Sequence, residues 1–576
     1  MNALAMSVSD SARQEVSVES RRAQTFPRLS PADIARIKPL GQPRHFDAGE
    51  AMALAGEACR SIILILAGEA VTTQRGRDGK RRVIEASEPG SFHGELAQLS
   101  GRPWLVDVHA TTEVEALILT PEALRALLIS EADLGDRIMR AMILRRALLI
   151  EANLGGPIIV GAYGSAEVLR LETFLARNTH PWQTLDAATD PSARAHIERL
   201  QVTPEELPLV LCPAGQLLRN PTLHQLARCI GLMGAIDRDK IYDVAIVGAG
   251  PAGLATSVYA GSEGLATLTL DGNAFGGQAG ASARIENYLG FPTGISGHAL
   301  AARAYNQAQK FGVEMAIPGG VVALESADRG DTTQRLRLAS GECVLARTVV
   351  IASGAGYRRL PIPHLDKFEM TSLHYWASPI EARLCAGCDV ALVGAGNSAG
   401  QAAVYLAGHA RRVYLLTRRE ALDASMSRYL IDRISGLNNV KVMGRAEVIG
   451  LEDRNGVLES VRWRSADGAD GTLAVRHLFC FIGADPNTGW LAGTGITLDR
   501  NGFVLTGPDA DTGGRHALET SRPGVFAIGD VRASSTKRVS SAVGDGAQVV
   551  AAIHAHLASL PAKNFDPTDT LHNQIR

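Results

Sequence analysis

Three glycines, Gly248, Gly250 and Gly253, stand directly after the apolar run YDVAIV and at the head of a helix-forming stretch. That spacing suits a phosphate cradle. The first glycine permits a tight turn, the second lets backbone approach a pyrophosphate, and the third lets the helix pack closely, with the helix N-terminus favouring negative charge. Asp271 ends the next strand, TLTLD, where a carboxylate would meet a ribose. A second set, Gly394, Gly396 and Ala399, repeats the arrangement, with Asn397 and Ser398 opening its helix. Its following strand, RRVYLLTRR, ends in Arg418 and Arg419 instead of an acid. Guanidinium groups there would hold a ribose 2′-phosphate, which favours NADPH over NADH; the competing reading is a solvated turn. Two cradles in one chain imply electron relay between two nucleotides.

Thiols are the other redox groups. The seven cysteines, scattered from Cys59 to Cys480, do not form the dense even framework of a secreted scaffold, so a reducing, cytoplasmic setting is expected. One pair, Cys385 and Cys388, has a Cys-x-x-Cys spacing that can depress a thiol pKa. Cys388 runs straight into the second cradle's strand, at its N-terminal end, whereas cofactors bind beyond the carboxyl ends of strands. At about 3.3 Å per residue the strand would hold these thiols far from the nucleotide loop, so they are weak candidates.

These residues must be carried by several folding units. A chain of 576 residues is long enough for about four. The formal net charge of -2 gives no broad positive field, so neither nucleic acid nor an anionic membrane surface is an expected partner. Two uncharged stretches, Val244 to Gly261 and Val390 to Gly408, approach bilayer-spanning length, but both contain a glycine cradle and read as nucleotide-binding units. No metal site is expected. The expected divisions are a disordered leader at 1–27, a β-roll with C-terminal helices at 28–153, a small α/β unit at 155–233, nucleotide-binding parts at 240–357, 358–484 and 485–560, and a tail at 561–576. Within the β-roll, runs such as SIILILAGEAVTTQ alternate with turn signals, and Leu124, Leu127, Leu128, Ile138, Met142, Ile143 and Leu148 then fall at helical spacing.

From residue 240 onward the chain resembles the low-molecular-weight class of thioredoxin reductases. The motifs that carry this are Gly276-Gly277-Gln278, Ile285-Glu286-Asn287-Tyr288 with Gly290-Phe291-Pro292, TVVIASG from Thr348, GVFAIGD ending in Gly529-Asp530, and Arg538-Val539. The resemblance implies an α/β fold of two Rossmann-like domains, the NAD(P) domain inserted into a two-piece FAD domain, and a homodimer. It implies FAD held by Gly248, Gly250, Gly253, Asp271, Gly277, Gln278, Asn287, Gly529, Asp530, Arg538 and Val539, and NAD(P) held by Gly394, Gly396, Asn397, Ser398, Ala399, Arg418 and Arg419. Residues 155–233 are similar to a thioredoxin or glutaredoxin domain, including Pro208 where such folds place a cis-proline. The redox cysteines of that fold are replaced by Ala162-Tyr163-Gly164-Ser165. Residues 28–150 resemble a cyclic-nucleotide-binding domain through GSFHGELAQLSGRPW, which implies a pocket with Gly94 and Glu95; Trp104 stands where the family has its phosphate-binding arginine, with Arg102 the nearest substitute.

The reactive dithiol of thioredoxin reductases is also absent. The aligned stretch reads His374-Tyr375-Trp376-Ala377-Ser378, so His374, Tyr375 and Trp376 are candidates to cover the flavin face. The expected activity is hydride transfer from NAD(P)H through FAD to an acceptor that the sequence does not name: a thioredoxin-like protein disulfide, or a ferredoxin or flavodoxin. A flavin redox sensor, regulated by a small-molecule effector at the N-terminal domain, is the rival reading.

Overall fold

The computed structural model describes residues 22–560 apart from 59–60, 76–80, 95, 100–101, 153, 234–235, 283, 326–332, 370, 378, 424–425, 455–456 and 511–515. The chain divides into two compact units: the first takes in the chain up to 235 with 271–318 and 357–484, and the second takes 236–270, 319–356 and the chain from 485.

In the first unit, residues 42–119 form two four-stranded antiparallel sheets. One runs Gln42–Phe46, Val114–Leu119, Ile62–Ala67, Phe92–His93; the other runs Ala51–Ala53, Asp107–Ala110, Ala70–Arg75, Arg81–Ser87. The strand IILILA shows why this roll forms. Successive side chains point to opposite faces, so Ile63 and Ile65 enter the core with Phe46, Trp104 and Val108, while Ile62 and Leu64 pack against Leu124, Leu127, Ile138 and Met142 of the following helices. Those helices are two, Pro121–Ser130 and α1 (Ala132–Glu151), broken at Glu131, where φ is -119° and ψ 79°. Of the apolar residues at helical spacing, Ile143 is exposed. Residues 22–25 of the expected disordered leader are helical, because buried Arg145 of α1 donates to the Thr25 carbonyl and Phe26 lies against its guanidinium. Residues 1–21 of that leader and the tail at 561–576 lie outside the described residues.

Next comes a four-stranded sheet in the order Gln183–Asp186, Ile158–Gly161, Leu209–Leu211, Leu217–Arg219, with α2 (Ala166–Arg177) capped by Ser165. Leu207–Pro208 is cis. The junction with the β-roll is close: a Cβ on Gly56 would lie 2.7 Å from the Ala214 Cα, and one on Gly231 would lie 2.1 Å from Pro103 Cδ. Cys212 and Cys229 form a disulfide that the cysteine pattern did not reveal.

Each cradle opens from a parallel sheet whose Val/Ile/Leu runs are buried on both faces. In the first unit the order is Leu373–His374, His477–Cys480, Asp389–Val393, Arg412–Leu416, Val440–Met443. In the second, Thr267–Leu270, Ile241–Val247, Cys343–Ile351 and Val525–Ala527 are parallel neighbours, extended by antiparallel strands. Among the described residues no helix is long and apolar enough to cross a membrane, and no group of His, Cys, Asp and Glu could hold a metal.

Candidate functional site

In the second unit the strand Ile241–Val247 delivers the chain into Gly248, whose φ of +115° and whose would-be Cβ, 2.2 Å from the Ala352 carbonyl oxygen, admit only glycine. Gly250 caps helix α3 (Pro251–Ser262) without a side chain. A Cβ on Gly253 would lie 1.8 Å from the Gly248 oxygen, so the first turn of α3 sits directly on the loop. The second motif meets this helix. Gly529 has φ +69° and a would-be Cβ 2.9 Å from Ala252 Cβ, and Gly546 of α6 (Val539–Ser559) backs onto the Ala252 oxygen. Burial raises the Asp530 carboxyl's pKa, against the nearby Lys537 ammonium. Gly529 N donates to Asp545 Oδ2 at 3.0 Å, and Arg538 is extended backbone at the head of α6. Thus Gly248, Gly250, Gly253, Gly529 and Asp530 converge on one helix N-terminus, with Arg538 and Val539 opening the adjacent helix. A cradle that a methyl group would fill fits a dinucleotide's pyrophosphate.

The remaining expected FAD residues belong to the first unit. Asp271 Oδ1 accepts from Asn273 N at 2.9 Å and Ala274 N at 3.2 Å, so this oxygen is engaged in shaping its own turn. Gly277, at φ +54°, and Gln278 open the short helix Gly277–Gly280, seated on α4 (Gly297–Lys310): a Cβ on Gly297 would lie 1.7 Å from the Ala279 oxygen. Asn287 is exposed.

The second cradle has Gly394 at φ +152°, its would-be Cβ 2.6 Å from the Phe481 oxygen. Gly396 caps α5 (Asn397–Ala407), and a Cβ there would meet nothing within 4 Å. Protein packing therefore does not require this glycine, and the open space fits close approach of a nucleotide. Ala399 is buried and Ser398 exposed, while Asn397 Oδ1 accepts from Ser427 N at 2.7 Å. Val393 pairs with Leu416 in the parallel register, so Arg418 and Arg419 leave the sheet at the same edge as Gly394, with exposed side chains.

The residues in place of the dithiol are each engaged. His374 is 6% exposed, meets His477 Nδ1 through Nε2 at 3.1 Å and lies 4.8 Å from the Phe479 ring; burial drives its pKa down to about 3. It is a core side chain of the NAD(P) sheet, which corrects its reading as a flavin cover. Tyr375 donates to Glu369 Oε1 at 2.7 Å, and burial raises its pKa. Trp376 donates to Glu381 Oε1 at 3.0 Å. Cys385 is wholly buried, and burial pushes its thiol up to about 12, the opposite of what a redox nucleophile needs. Cys388 directly precedes the strand Asp389–Val393, at the end away from Gly394. At 162–165, Tyr163 is exposed and Ser165 is a helix cap.

In the β-roll, Gly94 is buried, with φ +147°, and Glu95 lies outside the described residues. Arg102 does not line the pocket: its Nη2 donates to Tyr305 Oη, whereas Trp104 lines it. The cavity, about 50 Å³, is bounded by Thr72, Glu85, His93, Trp104 and Arg145 among apolar neighbours. Arg145 gives its Nη1 donors to the Phe92 and Gly94 carbonyls at 2.9 Å each. Burial drives His93 down to about 3 and raises Glu85 to about 7, and His93 Nε2 has no hydrogen-bond partner. The pocket is smaller than the cavity of roughly 150 Å³ that takes benzene, and Trp104 lines it. Sequence reasoning missed Arg145, although it lies on the apolar face of α1, three and four residues from Met142 and Ala141.

Comparison with known proteins agrees with this architecture. Residues 43–131 match the cyclic nucleotide-binding domain family, and 242–546 match the pyridine nucleotide-disulphide oxidoreductases. Thioredoxin reductase of Mycoplasma genitalium is 32% identical over 314 residues, 54% of this chain and 93% of that protein. NADPH-dependent thioredoxin reductase 3 of Arabidopsis thaliana is 32% identical over 335 residues, 55% of this chain; the chain spans 59% of that longer relative. The crystal structure of Lactococcus lactis thioredoxin reductase is 26% identical, with a TM-score of 0.51 over 55% of this chain and 100% of that one. With both cradles and this match across more than half its length, the chain belongs to the pyridine nucleotide-disulphide oxidoreductases, as an FAD-dependent NAD(P)H oxidoreductase of the thioredoxin reductase type.

Proposed function

We propose that this enzyme oxidises NADPH and delivers the electrons to an external acceptor without a dithiol relay of its own. The observation that supports this is the state of the stretch where the family carries its cysteines: His374 in a sheet core, Tyr375 bound to Glu369 and Trp376 bound to Glu381. The chemistry that FAD supplies when bound is acceptance of a hydride and onward release of electrons singly or in pairs. The chain's part is to bind and orient. The α3 N-terminus and the Gly529-Asp530 turn would hold FAD, and the α5 N-terminus with Arg418 and Arg419 would hold NADPH. A ferredoxin or flavodoxin fits a dithiol-free enzyme better than a thioredoxin-like disulfide does.

The test is anaerobic stopped-flow reduction of the holoprotein by NADPH or NADH, followed by oxidised thioredoxin, ferredoxin or flavodoxin, with Cys385→Ser/Cys388→Ser alongside wild type. Flavin reduction with carrier-dependent reoxidation unchanged in the double variant is expected. Thioredoxin-dependent reoxidation that disappears in that variant would overturn the dithiol-free reading.

A second reading concerns an effector. The unpartnered His93 Nε2 beside a small apolar cavity favours an uncharged molecule with one hydrogen-bonding group over a nucleotide. Calorimetry with cyclic AMP and cyclic GMP is expected to show no binding; saturable heat from either would reject it.

A further inference from the structure

The stretch Arg102 to Trp104 faces two ways. Trp104 lines the β-roll cavity, while Arg102 lies outside it, donates to the Tyr305 hydroxyl and lies 5.7 Å from that ring's centre. Tyr305 is 5% exposed and takes a second hydrogen bond from Gln309 Nε2 at 3.4 Å. Its ring stacks on Phe275, with centres 4.5 Å apart and planes 24° apart. Phe275 is the residue before Gly276, which has φ +99° and opens the turn carrying Gly277 and Gln278. That turn has little slack: a Cβ on Gly276 would lie 2.9 Å from Ala301 Cβ, on the helix that bears Tyr305. The small α/β unit touches the same segment, since Asn178 Nδ2 donates to the Asn273 carbonyl at 3.1 Å.

From this chain of contacts we infer that Arg102 is a positioning residue for the flavin, acting through Tyr305 and Phe275 on the turn Gly276–Gln278. The inference rests on the reading above that this turn lines FAD. A charged donor on the Tyr305 hydroxyl fixes the ring in the plane against which Phe275 stacks. Phe275 in turn sets where Gly277 and Gln278 present their backbone. The β-roll therefore serves flavin binding through its outer surface, whatever its cavity holds.

The test uses the full-length FAD-loaded protein and the variants Arg102→Ala, Arg102→Lys, Tyr305→Phe and Arg102→Ala/Tyr305→Phe. Tyr305→Phe keeps the ring stack and loses only the hydroxyl, so it guards against misfolding. The readouts are the FAD dissociation constant, the bound flavin's absorbance spectrum and its midpoint potential. Loss of one hydrogen bond to a charged group corresponds to about tenfold weaker FAD binding. That loss is expected in both Arg102→Ala and Tyr305→Phe, with a shift in spectrum and potential, partial rescue in Arg102→Lys and no further loss in the double variant. Unaltered flavin properties in Arg102→Ala, even with lower overall stability, or fully additive losses in the double variant, would overturn the inference. If the wild type binds FAD but fails to be reduced by NADPH, the functional reading falls while the Arg102 comparison still stands.

Discussion

Arg177, the last residue of α2, holds its guanidinium carbon 5.6 Å from the centre of the Trp376 ring. The small α/β unit thus grips a residue of the stretch where the family carries its cysteines. A cation–π contact of this kind is worth about 1 kcal/mol. Arg177→Ala is expected to lower the urea midpoint accordingly, while Arg177→Lys largely retains it; equal losses in both would mean that charge over the ring is irrelevant.

The phosphate cradle gives the sharpest steric prediction. Gly253→Ala places a methyl group 1.8 Å from the Gly248 oxygen, so loop and helix must separate. Loss of FAD from the purified protein is expected, read as the absorbance ratio of flavin to protein. A fully yellow Gly253→Ala would refute the assignment of this loop to the pyrophosphate.

If Arg418 and Arg419 hold a 2′-phosphate as proposed, they set the choice of nicotinamide. Replacing both with alanine removes charge-assisted contacts to a 2′-phosphate and should raise KM for NADPH by about tenfold or more while leaving KM for NADH nearly unchanged. Equal changes for both nucleotides would assign the arginines to a solvated turn.

Buried histidines set the acid limit. His374 stays neutral in the fold down to about pH 3, whereas an exposed histidine protonates near 6.5. Its depressed pKa contributes stability that is present above pH 6.5 and is lost as pH falls toward 3, about 2 kcal/mol of it by pH 5. His374→Phe should flatten the fall in denaturation midpoint between pH 7 and 5; an unchanged slope would show that His374 is protonated without cost.

Thiol reactivity separates Cys385 from an active redox cysteine. With its pKa raised from 9.0 to about 12, its thiolate fraction at pH 8 is reduced roughly a thousandfold. Mass spectrometry after iodoacetamide treatment of the native protein should find Cys385 unmodified when denatured controls are fully labelled. Rapid alkylation of Cys385 would reopen the case for a displaced dithiol.

What was legible in the sequence followed from local backbone need. Gly248 and Gly253 are demanded by a turn and a close approach within a few residues, and IILILA reads as a strand buried on both faces from its unbroken apolar run. What was not legible depends on partners far along the chain. His374 turns into the sheet because His477 and Phe479 wait there, and Arg102 leaves its pocket for Tyr305, 203 positions away. Cys212 and Cys229 carry no spacing signature, so their bond emerges only when the strand and helix are folded together. Arg145 was hidden for the opposite reason: an arginine in a helix reads as solvent-facing until its buried neighbours are counted.

The glycine seam between the β-roll and the small α/β unit limits how the protein can be taken apart. Gly56 meets the Ala214 main chain and Gly231 meets the Pro103 ring, so neither position can take a larger side chain unless the two units move apart. A cut near residue 155 would leave two complementary facets, each shaped only for its lost mate. The β-roll and the small α/β unit are in that sense a single moulded part, and an exchange of either must move both together.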